Sequence, residues 1–199
     1  MALTKIKKKN SIEKLKNKIR IPRNGIHGSE AVRRLSIIDS SGESDVRGTP
    51  PDIYWKICKE LNFYPKVDYA GDDLHHMCKD YITKEKNTFS INWIWNGFLN
   101  PEYSENELYL AYAVDMWKRY DINLLVLTYS KTGRGWWHRH VEPYRKSGEA
   151  DVIFYEGRLV FSDELGWKMD NNSTDDSAFI FYKSKMFPHD VFCPHPWDW

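Results

Sequence analysis

Residues 122–129 read Ile-Asn-Leu-Leu-Val-Leu-Thr-Tyr. Apolar side chains stand at successive rather than alternate positions, so a strand here must be buried on both faces. That is the condition of a strand inside a parallel sheet covered by helices. Upstream, Ser104 to Tyr120 reads as a helix with Leu108, Ala111, Tyr112, Met116 and Trp117 on one apolar face. Before it, residues 94–100 (IWNGFLN) read as a strand leaving through Asn100-Pro101. This pair is a turn signal, because proline fixes its own φ and pushes the preceding residue out of the helical region. Residues 63–71 (FYPKVDYAG) predict a strand ending in a small-residue turn, and 72–81 (DDLHHMCKDY) a helix capped by Asp72 or Asp73. Thr49 or Asp52 can cap an earlier helix over 53–62, with the folded domain beginning at about residue 48 and running to 199. Downstream, residues 133–148 are expected to be helical until Pro143 and Gly148 limit them. Residues 150–161 (ADVIFYEGRLVF) read as strand, Gly-Arg turn and strand, and 177–183 as a last strand. Together these elements predict an α/β fold with a mostly parallel sheet and an antiparallel edge strand.

At 199 residues the chain has room for one well-filled domain. Its nine Trp, twelve Tyr and nine Phe supply either a dense core or faces on which bases stack. Charge is unevenly placed. Residues 1–48 hold twelve Lys or Arg against five acids, a net of +7, which leaves −6 on the rest of a chain whose total is +1. With few aromatic residues and much Lys, Ser, Asn and Gly, residues 1–47 read as a flexible basic arm. A basic arm on an acidic body suits a polyanionic partner; a solvated tail is the plainer reading. No apolar run approaches the roughly 18 to 20 residues of a membrane span, and the basic N-terminus has no apolar core of a secretory signal. No membrane partner is therefore expected. Cys58, Cys78 and Cys193, odd in number and far apart, read as reduced thiols of a cytoplasmic protein. Cys193 lies between His189 and His195 but without a paired Cys-x-x-Cys, so no metal site is expected.

Two strand ends carry the chemistry: Asp68-Tyr69-Ala70-Gly71 and Asn100-Pro101-Glu102-Tyr103. Open α/β sheets bind ligands outside the carboxyl ends of their strands. A small-residue turn lets backbone N–H groups approach a ligand closely, and an acid at a strand end can hold an amine. The order of landmarks resembles the phage-type DNA N6-adenine methyltransferases, of the Rossmann-like class I S-adenosylmethionine-dependent fold. These landmarks are Thr49-Pro50 before a helix with Trp55, Asp68 with Ala70, Cys78 and Tyr81, Trp95, and Asn100-Pro101-x-Tyr103-Ser104. The buried 124–129 strand, Trp136-Trp137-His138 and Gly157-Arg158-Leu159-x-Phe161 follow. The resemblance runs from about Thr49 to Lys183.

The resemblance implies S-adenosylmethionine as cofactor and DNA as partner. It implies that adenine is flipped out of the duplex, because its amino group cannot be reached in the stack. Asn100 and the Pro101 carbonyl would accept hydrogen bonds from that amino group, and Tyr103 would stack on the base. Asp68, Ala70, Gly71 and Asp72 fall at the cofactor turn. Lys131, Arg134, Arg139 and Arg158, close to Trp136 and Trp137, are the expected DNA-facing cations, although the tryptophans suit a core equally well. Glu102 departs from the pattern, since the family has a second proline there. Either it points away, or it alters the substrate, or catalysis is lost and a silent nucleic-acid-binding protein remains. Methylation of a protein glutamine amide uses related Asn-Pro-Pro-Tyr motifs, but the remaining landmarks favour DNA. His75-His76 reads as a solvated face of the 72–81 helix. So little chain separates the two turns that sequence reading must come from loops, from residues after Tyr129, or from the arm.

Overall fold

The computed structural model describes residues 48–161 and 176–186. Helix α1 (Pro51–Leu61) starts at Pro50 with no side-chain cap, so neither Thr49 nor Asp52 takes the capping role expected of it. Pro51 sits in the first turn, where its missing N–H costs nothing, and Asp52 lies near the positive end of the helix dipole. The helix ends at Asn62, which adopts the left-handed conformation (φ 49°). Phe63 N–H then closes back on the Cys58 carbonyl at 2.9 Å.

Six strands follow among the described residues: β1 (Val67–Asp68), β2 (Asp80–Tyr81), β3 (Gly97–Leu99), β4 (Leu124–Tyr129), β5 (Ala150–Phe154) and β6 (Ser177–Tyr182). Their order across the sheet is β2-β1-β3-β4-β6-β5. The β1–β2, β1–β3 and β3–β4 pairs are parallel, and β6 runs antiparallel to both of its neighbours. The fold is thus α/β with a mostly parallel, Rossmann-like sheet, and the antiparallel strand lies one place in from the edge. β5 finds its partner in β6, not in residues 159–161, which form no strand. Leu159 and Phe161 instead drop into the core, 1% exposed each.

Register explains why residues 124–127 are apolar at successive positions. Phe98, Leu125, Leu127, Phe179 and Phe181 share one face through the β3–β4 and β4–β6 pairings, and pack with Tyr54, Ile57 and Cys58 of α1. The opposite face meets helix α2 (Asn106–Tyr120), with Thr128 Oγ1 donating to Asn106 Oδ1 at 2.5 Å and Trp117 against Tyr182. Each large side chain buried this way contributes about 1.5–3 kcal/mol. The buried face of α2 includes Leu110, Ala113 and Val114 besides the expected Tyr112, Met116 and Trp117. Leu108 and Ala111 are only half-buried, because the helix lies between the sheet and the 88–93 aromatic segment and buries a wider stripe than one face.

Residues 72–81, expected to be helical, form a looped chain ending in β2. Residues 135–147 form two short helices, α3 (Gly135–His140) and α4 (Glu142–Ser147). Pro143 does not limit the first; it occupies the first turn of the second, where proline is tolerated. Gly148, at φ 79°, ends α4. The basic arm (residues 1–47) and the Cys193 stretch lie outside the described residues.

Candidate active site

Parallel pairing of β1 with β3 sets Asp68 opposite Phe98 and leaves both turns at the same edge of the sheet. Tyr69 N–H donates to the Phe98 carbonyl at 2.8 Å, so the two turns start about one strand spacing (~4.8 Å) apart. Asp68 is 3% exposed. Its Oδ1 accepts from Ala70 N–H at 3.1 Å and its Oδ2 from Met77 N–H at 3.0 Å. Burial pushes the carboxyl up to about 6, against the pull of those two N–H groups and with a smaller push from the Asp72 carboxylate. Asp72 caps a turn without a helix: its Oδ1 accepts from Leu74 N–H at 2.7 Å and His75 N–H at 2.8 Å. The loop is therefore braced at both ends by side-chain oxygens that compete with helical bonds for the backbone. Gly71 is buried here, and a Cβ on it would stand 3.0 Å from Tyr81 Cβ and 3.1 Å from His76 Cβ.

The histidine pair is not a solvated helix face. The His75 side chain is 9% exposed, with Nδ1 3.3 Å from Asp72 Oδ2. The exposed His76 ring stacks on Tyr81 at 4.2 Å, and Tyr81 Oη donates to Asp73 Oδ1 at 2.8 Å.

At the second turn Asn100 is half-buried and Pro101 buried. Glu102 has φ −56° and ψ 125°, a conformation that proline itself adopts. Its carboxylate turns outward to Lys84 Nζ at 3.0 Å. The Tyr103 ring stacks on Tyr129, at the end of β4, with centroids 3.9 Å apart and planes 27° apart. Phe161 meets it edge-on at 5.8 Å. Lys131 Nζ lies 4.5 Å from the Tyr129 ring centroid, so this cation joins the Asn100–Tyr103 turn through an aromatic stack.

The other expected cations lie further along the surface. Arg139 pairs with Glu107 across α2 and α3, Arg134 is exposed at the start of α3, and Arg158 is exposed beyond β5. Trp137 is core, whereas Trp136 is half-buried. Lys84 and Tyr129 were not singled out from the sequence, and His75 was read there only as part of a solvated helix face. Tyr129 carried a usable signal, since it closes the buried strand at the edge where ligands bind; Lys84 carried none. A separate groove of about 530 Å³ lies beside Val67, Tyr69, Asp80, Ile82 and Trp95 and does not include Asp68, Asn100 or Tyr103. Among the described residues no cluster of His, Cys, Asp or Glu is placed to hold a metal ion, and no helix is long and apolar enough to cross a membrane.

No curated protein matches the chain. The sequence model of the DNA N-6-adenine-methyltransferase (Dam) family matches residues 39–192, a span that contains both turns and every strand described above. With two loop-bearing strand ends side by side and an Asn-Pro-x-Tyr turn on the second, the chain belongs to the DNA N-6-adenine-methyltransferase family.

Proposed function

We propose that the chain methylates N6 of adenine in DNA with S-adenosylmethionine as donor, and that the Asn-Pro-Glu-Tyr turn is competent for it. The observation that carries this reading is the Glu102 backbone. At φ −56° it keeps the course that a second proline would impose, and its carboxylate is drawn off to Lys84. Asn100 Oδ1 and the Pro101 carbonyl accept the two amino hydrogens of a flipped adenine, which orients the N6 lone pair. Tyr103, backed by Tyr129, offers a stiff aromatic platform for the base. Asp68, Ala70, Gly71 and Asp72 line the neighbouring turn, where the donor would be held. The donor supplies an already activated sulfonium methyl, so orientation is the main task left to the protein. Lys131, Arg134, Arg139 and Arg158 are the proposed phosphate contacts.

Incubation of the full chain with labelled donor and unmethylated DNA, followed by nucleoside analysis, is expected to yield N6-methyladenine. Donor binding without N6-methyladenine overturns the reading, and absence of donor binding points to the silent protein. Asn100→Ala is expected to lower turnover by roughly 100-fold or more, with donor affinity changed by less than about threefold. Glu102→Pro is expected to stay within about tenfold of the parent, because the φ of residue 102 already suits proline.

A further inference from the structure

His75 carries a buried ring nitrogen that the described residues leave without a partner. Its side chain is nine-tenths buried, and among the described residues its Nε2 has no hydrogen-bond partner. Buried polar groups are rarely left in that state, and each exception calls for a partner or a role. The ring is also held in place. Nδ1 faces Asp72 Oδ2 at 3.3 Å, while the other oxygen of Asp72 is anchored by the backbone N–H groups of Leu74 and His75. Asp68 braces the same loop by accepting from Ala70 and Met77. When Nδ1–H donates to the carboxylate and the ring carries no second proton, Nε2 presents a lone pair in a direction set by that contact. The loop springs from the carboxyl end of β1, next to the strand that carries the catalytic turn.

We propose that His75 Nε2 accepts a hydrogen bond from an N–H or O–H group of an adenosine-containing methyl donor, with Asp72 as the residue that positions the ring. This rests on the methyltransferase reading and adds a donor contact outside the small-residue turn. The donor class has three groups of the required kind: the ammonium, the ribose hydroxyls and the adenine amino group.

Calorimetry on the full chain with S-adenosylhomocysteine tests the assignment. His75→Ala and His75→Phe are both expected to weaken binding about tenfold, the equivalent of one hydrogen bond of about 1.4 kcal/mol. His75→Asn, which restores a polar group of shorter reach, is expected to recover part of the loss. If Phe binds as the parent does, the role of His75 is packing and the assignment falls. 5′-Methylthioadenosine, which lacks the amino-acid end, separates the groups. A His75→Phe penalty that disappears with this ligand assigns the contact to the ammonium, and one that persists assigns it to the ribose or adenine. Should the variants fail to fold, the parent labelled with ¹⁵N-histidine serves instead: one buried Nε2 resonance moves on adding S-adenosylhomocysteine. No movement with binding intact overturns the assignment alone. No binding of S-adenosylhomocysteine by the parent overturns the methyltransferase reading along with it.

Discussion

Asp68 bears two opposing demands. Its oxygens brace the 68–77 loop, yet it is buried, and its carboxyl titrates near 6 rather than at the ordinary 3.8. Between these values the native chain holds a proton that the unfolded chain has already released. The unfolding free energy therefore falls as pH rises from about 4 to about 6, and above that range the cost is constant at about 3 kcal/mol. Asp68→Asn cannot ionise. The stability difference between this variant and the parent is thus expected to move by about 2.5 kcal/mol in the variant's favour between pH 4 and pH 7. Denaturant melts of both proteins across that range measure it. Hydrogen bonds lost in the variant add an offset that does not vary with pH, so a flat difference would show that Asp68 titrates normally.

At the scale of elements, the junction of β1 and β3 is tight where the two turns depart. Gly97 opens β3 against the flat of Tyr69, and a methyl group on Gly97 would overlap that ring. Tyr69 has little freedom to yield. Its ring stacks on the fully buried Trp93 at 4.2 Å, and its hydroxyl donates to the Trp95 carbonyl at 2.9 Å. Gly97→Ala is expected to destabilise the protein by about 3 kcal/mol, a fall in Tm of about 6–12 °C for a chain of this size. Gly133→Ala is the control, since nothing stands within 4 Å of its added Cβ, and its change should stay within about 0.5 kcal/mol. Equal melting temperatures for the two variants would mean that Tyr69 moves aside freely.

For the whole molecule, the open question is how a small catalytic body holds DNA. We propose that the basic arm, residues 1–47, tracks phosphates while loops of the body read the site. Binding through phosphates releases counterions, with a log–log salt slope of about −0.9 per contact. Removing residues 1–47 is expected to weaken DNA binding and flatten that slope. Donor affinity should stay nearly unchanged, and so should site preference, because phosphate contacts position a protein without reading sequence. Titrations at several salt concentrations with and without the arm decide it, and an unchanged slope leaves the arm no part in DNA binding.

The central strand, α1, α2 and the strand before Asn100-Pro101 were legible in the sequence because local patterning and burial agreed. An apolar run of four residues at successive positions has few places to go but the middle of a sheet, and a proline leaves the chain few ways to exit a strand. The Asp68 and Asn100 turns were legible for the same reason, as strand ends marked by small residues and by proline. Residues 72–81 were not. Their helical signals were real, including an aspartate that caps backbone N–H groups, but Met77 N–H is taken by Asp68, nine residues back, instead of by the Asp73 carbonyl that a helix would have used. The place of β6 between β4 and β5, the Tyr103–Tyr129 stack, the Lys84–Glu102 pair and the burial of His75 likewise belong to the tertiary structure alone. Each joins groups whose partner is set by how the strands align in space, and neither local propensity nor hydrophobic period carries that information.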